Sequence, residues 1–223
     1  MGSLSLPKRD RAHLECVAEY AGRILGAERA SRRMLTAEGR AVALAWYRVE
    51  RGRLEVLAWE VRDARGLRSD DLTPETVIAA AATLSPATSW HLLVADLPAF
   101  ILAALDGDPC PPFATYGAQR SKAARIIRER LGVSAVTGPK VSAFARALAG
   151  DVSAVVVDRH AARIALGDDG IIGVPRAVLR AVQDAYTLAA SRVGVDPAGL
   201  QALVWVARVG FGGEYGPPEG RTE

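Results

Sequence analysis
Residues 136–164 read VTGPKVSAFARALAGDVSAVVVDRHAARI, and the fold turns on how this stretch is parsed. Thr137, Gly138 and Pro139 carry the signature of a turn that opens a helix. Val141, Phe144, Ala145 and Leu148 then recur at helical spacing and predict one buried face. Gly150 and Asp151 predict a loop, an apolar run follows, and Asp158 is a good cap for a second helix. Lys140 stands in the first turn of one helix and Asp158 at the start of the next. An amine and a carboxylate so placed suit a single cleft.

The same stretch resembles the core of the helix-hairpin-helix (HhH-GPD) DNA glycosylases, with an endonuclease III-like pattern. That family carries a hairpin of the form L-P-G-V-G-x-K, then an apolar helix, then V-D-x-H. Gly138, Pro139 and Lys140 match the end of the hairpin, and Val157, Asp158, Arg159 and His160 match the second motif. Two hairpin positions depart from the pattern: Val136 replaces its first glycine and Ala135 the proline before it. Upstream, Leu84, Ser85, Pro86, Ala87 and Thr88 are similar to the family's L-S-x-Q-x-T, with Ala87 where the family has a glutamine that fills the space of an extruded base. The segment from Gly117 to Ala123, GAQRSKA, resembles a further family motif. The resemblance covers about residues 76–166. The motifs LSPATSW, GPKVSAFARAL and VVVDRHAARI are also similar to an uncharacterised family of actinobacterial phages and their hosts.

The resemblance implies an all-α, two-lobed fold with a helix-hairpin-helix element. It implies a base-excision glycosylase, with Asp158 stabilising the positive charge that builds on the sugar and orienting water. It makes Lys140 the candidate nucleophile for an added lyase step, because a free amine there can form a Schiff base. DNA contacts are expected from Gly138, Lys140, Arg120, Lys122, Arg125, Arg159 and His160, and a base pocket from Ser85, Ala87, Thr88 and Trp90. A DNA-binding protein without catalysis and a base- or nucleoside-modifying transferase are the alternatives on the same fold. For each residue a plainer role also exists: Asp158 as a cap, Lys140 as a solvated lysine, His160 as a core or capping histidine, Ser85 and Thr88 as turn residues.

Outside this stretch the composition is rich in Ala, Leu and Val and poor in aromatics, which favours helices. Residues 8–26, 36–48, 53–64, 74–84, 89–105, 175–191 and 196–208 read as further helices, and another follows the segment ending at Ala123 and runs to Leu131. Thr73 before Pro74 is a strong start signal. The expected organisation is a helical core over 74–166, a second lobe from 8–64 plus 170–208, and a flexible tail over 210–223. The net charge is +3, so nucleic-acid binding depends on where the basic residues lie. Arg120, Lys122, Arg125, Arg128 and Arg130 are the densest basic cluster.

Two cysteines, Cys16 and Cys110, are too few for a disulfide framework or a four-cysteine iron–sulfur cluster, and the three histidines show no metal-ligand spacing. No cofactor or metal is therefore expected. The first ten residues lack the apolar run of a signal peptide, and Asp96 and Pro98 interrupt the longest apolar stretch. A cytoplasmic monomer that binds DNA and not membrane is the expectation.

Overall fold
The computed structural model describes residues 8–113, 115–171, 174 and 176–210. The described residues are helical, with no strand among them. The helices are α1 (Lys8–Met34), α2 (Ala37–Leu44), α3 (Trp46–Arg65), α4 (Pro74–Leu84), α5 (Trp90–Asp106), α6 (Gly117–Arg128), α7 (Pro139–Leu148), α8 (Arg159–Leu166), α9 (Arg176–Val193) and α10 (Pro197–Val209). A short 3₁₀ turn, Val133–Ala135, lies between α6 and α7.

Local chemistry sets many of the helix starts. The Thr36 hydroxyl accepts from Gly39 N–H at 3.0 Å and opens α2. Thr73 accepts from Thr76 N–H at 3.1 Å with Pro74 in the first turn. The Asp196 carboxylate accepts from Gly199 N–H at 2.6 Å and opens α10. Each such cap stabilises its helix by about 1 kcal/mol. Other boundaries follow from packing. Gly26 does not end α1, which continues eight residues to Met34 and carries the buried Glu28. The second helix stops at Ala45, and α3 starts at once because Trp46, Tyr47 and Glu50 are all buried.

The contacts divide the chain into two compact units. One comprises Met1–Ala45 and Val152–Arg208, and its helices are α1, α2, α8, α9 and α10. Here α1 packs along α9 and α8. Val17, Ala21 and Ile24 from α1 meet Ala161, Ala162 and Ala165 from α8 and Val182, Ala185 and Tyr186 from α9. Alanines at so many contact positions let the helix axes approach closely. The run Ala154, Val155, Val156 and Val157 is buried without forming regular structure. Arg23 donates to the carbonyls of Leu166 (2.6 Å) and Ala165 (3.2 Å), satisfying the C-terminal end of α8 from α1.

The other unit spans Trp46–Asp151 and holds α3 to α7. At its centre is α4, buried at every position from Thr76 to Leu84 and packed against α3, α5, α6 and α7. A helix apolar all round belongs in such a place. Trp46, Tyr47, Trp90 and Phe144 cluster with ring centroids 5.1 to 6.2 Å apart. Beneath them Glu50, 4% exposed, accepts from the Trp90 indole N–H at 2.9 Å and from Arg53 at 3.0 Å.

These boundaries differ from a core over 74–166 with a lobe of 8–64 plus 170–208. Helix α3 packs on α4, α5 and α7 and so joins the central unit, while α8 packs on α1 and α9 and so joins the chain ends. The tail expected over 210–223 lies, beyond Gly210, outside the described residues.

Candidate functional site
In the central unit, residues 129–138 link α6 to α7 and include the 3₁₀ turn. Arg130 closes α6 in a left-handed conformation (φ 57°) and pairs with Asp71 at 2.7 Å. The chain then passes the 3₁₀ turn and the buried Val136, whose φ of −77° is open to any residue. A valine there therefore carries no backbone strain. The glycine requirement falls two residues later, at Gly138, with φ 96°. Pro139 follows at the first helical position of α7, and no side chain caps the N-terminus. The N–H groups of Lys140 and Val141 are thus left to an outside acceptor. Lys140 itself is exposed.

Beside this turn is a cavity of about 140 Å³. The buried side chains of Thr83, Ile126 and Val136 line its interior with the half-buried Leu131 and Val141. Lys122, Arg125 and Thr137 are exposed and stand at its mouth, with Gln119 half-buried among them. Lys122 pairs with no other described residue, and Arg125 gives its Nε–H to Glu129 at 3.1 Å. Two of the expected DNA contacts, Lys122 and Arg125, are therefore brought together with the 137–138 turn. Arg120 is not part of this lining; its guanidinium turns back along α6 toward Gly117. It lies near Cys110, whose thiol burial pushes up against the opposing pull of Arg128 and Arg120. Sequence reasoning missed Gln119 and Thr83. Gln119 was findable, because 119, 122 and 126 fall on one helical face; Thr83 was not, because α4 is apolar on every side.

The expected base-pocket residues do other work in this structure. Ser85 donates to the Ala82 carbonyl at 2.8 Å and Thr88 to the Leu84 carbonyl at 3.2 Å, so both close the end of α4. Ala87 is exposed at the apex of the turn with φ 61°, offering only a methyl group. Trp90 is buried in the aromatic cluster and bound to Glu50. None of these residues lines the cavity.

Asp158 lies in the other unit, at the head of α8. Its Oδ1 accepts from Ala161 N–H at 2.8 Å, so the carboxylate is folded onto its own helix as a cap. Arg159 and His160 follow, both half-buried. Tyr186 is fully buried behind them, its hydroxyl 3.5 Å from the Ala161 carbonyl; burial, with Asp158 adding to it, keeps this phenol protonated. Burial also pushes the His160 imidazole below its ordinary value; Asp158 opposes this, and Arg159, Arg208 and Arg163 reinforce it. A histidine kept neutral in the fold yet free to charge when unfolded stabilises the fold fully above its ordinary pKa of about 6.5. That contribution is lost as pH falls through 6.5 toward the folded value. Denaturation of the wild type and of His160→Gln should therefore show a stability difference that shrinks from pH 7.5 to pH 5. A difference constant over that range would contradict it.

Residues 18–211 match the model of a family of unknown function, DUF7178. The chain belongs to this family. The matched span includes the link from α6 to α7, the cavity and Asp158. No curated protein matches the chain, and no solved structure does. Among the described residues no helix is long and apolar enough to cross a membrane, and no group of three or more His, Cys, Asp or Glu is placed to hold a metal ion.

Proposed function
We propose that the chain is a DNA-binding protein whose activity is base excision. On this reading α6, the 137–138 turn and α7 form the helix-hairpin-helix element that grips the phosphate backbone, and Asp158 is the catalytic carboxylate. The observation that carries it is the grouping of Lys122 and Arg125 beside the uncapped start of α7. Cationic side chains and open backbone N–H groups are what a phosphodiester backbone is held by. The catalytic part rests on the resemblance of Val157, Asp158, Arg159 and His160 to the V-D-x-H motif; in the fold the same carboxylate caps α8. Base release builds positive charge on the sugar, and a fixed carboxylate stabilises it.

Binding is tested by fluorescence anisotropy on a labelled duplex across a salt series. Each phosphate contact releases counterions, so Lys122→Gln with Arg125→Gln should weaken binding and flatten the salt dependence by roughly 2 units of log–log slope. An unchanged slope would place the binding face elsewhere. Excision is tested with duplexes that each carry one damaged or modified base, read by alkaline cleavage.

The lyase step has its own readout. Lys140 is exposed in the first turn of α7, within reach of a strand held at this turn. Borohydride is expected to trap a covalent adduct on an abasic strand, and Lys140→Gln should lose the adduct while keeping base release. Trapping that persists in Lys140→Gln would assign the nucleophile to another amine.

One observation favours a second reading, DNA binding without catalysis. Ala87 presents a methyl group where the resemblance puts a glutamine, so this turn has no side chain to fill the space of an extruded base. Retention of DNA in a gel shift, with no strand sensitive to alkali in any duplex of the panel, would select it.

A further inference from the structure
The cavity beside the 137–138 turn is larger than a phosphate grip needs, and its lining is of two kinds. Inside are aliphatic side chains, Ile126, Leu131, Val136 and Val141; at the mouth are Lys122 and Arg125. A chamber whose lining is part aliphatic and part polar, with a cationic mouth, is complementary to a small ligand with a flat body that carries polar edges and one anionic group. We propose that it binds a single nucleotide, base inward and phosphate at the mouth, as a free 5′-monophosphate or as the phosphorylated end of a strand. This deepens the nucleic-acid reading above and rests on it for the choice of ligand class.

Polar groups suit each part of such a ligand. The Thr83 hydroxyl gives its proton to the Ala79 carbonyl at 2.8 Å, so only its lone pairs face a ligand, and they accept from a base N–H. The Gln119 carboxamide pairs with no other described residue and offers both a donor and an acceptor to a base edge. Lys122 is unpaired among the described residues, and Arg125 uses its Nε on Glu129 while its terminal nitrogens remain for a phosphate. At about 140 Å³ the chamber admits one ring system and excludes a base pair. Its walls come from α4, α6, α7 and the 3₁₀ turn, all of the central unit, so it exists before any ligand arrives.

Isothermal titration calorimetry on the full chain tests this with the four deoxynucleoside 5′-monophosphates, the corresponding nucleosides and inorganic phosphate. At least one monophosphate should bind tenfold or more tightly than either its nucleoside or inorganic phosphate. Lys122→Gln should bring the monophosphate down toward its nucleoside. Val141→Phe, which fills the chamber, should reduce monophosphate affinity at least tenfold with an unchanged circular dichroism spectrum; Val141→Ile serves if the larger side chain does not fold. Oligonucleotides with a 5′-phosphate or a 5′-hydroxyl separate a strand end from a free nucleotide as the source. Inorganic phosphate binding as tightly as every nucleotide, wild-type affinity in the filled variant, or no binding at millimolar concentration would each overturn the inference. A dumbbell duplex without ends keeps the two readings apart. If the dumbbell binds and no nucleotide or strand end does, the backbone grip stands and the nucleotide site falls. If nucleotides bind and the dumbbell does not, the nucleotide site stands without a duplex grip.

Discussion

Asp158→Asn should lower base release from a substrate duplex by about 10² to 10³-fold while leaving duplex binding and the melting temperature nearly unchanged. The structure makes this substitution a clean separation of two roles. Asp158 Oδ1 accepts one hydrogen bond, from Ala161 N–H at 2.8 Å, and that bond opens α8. An asparagine carbonyl oxygen accepts it equally well, and asparagine is among the best N-caps. What the substitution removes is charge. An oxocarbenium-like sugar is stabilised by a carboxylate and not by a neutral amide, so a glycosylase should suffer in rate and not in fold. Asp158→Ala is the complementary variant. It removes the cap as well, and should cost about 1 kcal/mol of stability in addition to activity. Wild-type excision by the Asn variant would reduce Asp158 to a helix cap and move the chemistry to another group.

Glu28→Ala should destabilise its unit by about 3–5 kcal/mol, the usual loss when one partner of a buried ion pair is deleted. Glu28 is 3% exposed near the end of α1. Its carboxylate accepts from Arg40 of α2 at 2.7 Å and from Arg32 at 3.3 Å. Arg40, 20% exposed, also donates to the Ser31 hydroxyl and to the Glu28 carbonyl. Without the carboxylate, a guanidinium stays largely buried beside a fully buried serine, with its main counter-ion gone. Arg32 is solvated on its outer side and adds little. A fall in Tm of roughly 10 °C is expected for a chain of this size. Because the chain has two compact units, the shift should appear in the transition that involves α1 and α2 if the units melt separately. Glu28→Gln should recover part of the loss, since an amide oxygen still accepts from Arg40. A Glu28→Ala variant that melts within a degree of wild type would show that Arg40 finds water or another acceptor at no cost.

Neither buried carboxylate was legible in the sequence. Glu28 and Glu50 look like ordinary charged residues on helices, and nothing near Glu28 in the chain announces Arg40, nor near Glu50 the indole of Trp90 forty residues on. Trp90 was legible as an aromatic near a motif and was read as part of a base pocket. Its burial against Trp46 and Phe144 depends on α3 and α7 arriving from elsewhere in the chain. The cluster of Arg120, Lys122 and Arg125 was visible as composition. Which of them meets the 137–138 turn was decided by rotation about the α6 axis, and that left Arg120 pointing back toward Gly117.

The sequence by itself determined that this protein is helical and where most of its helices begin. Thr36, Thr73, Asp158 and Asp196 each satisfy an N–H three residues ahead, and Pro74, Pro139 and Pro197 stand in first turns; such signals act over one turn and need no partner. Only the tertiary structure decided that α3 joins α4 to α7, that α8 joins α1 and α9, and that a chamber opens between α4, α6 and α7. Those outcomes depend on which apolar faces fit together across long stretches of chain, and close packing selects among many sequence-compatible pairings by shapes that periodicity alone does not encode.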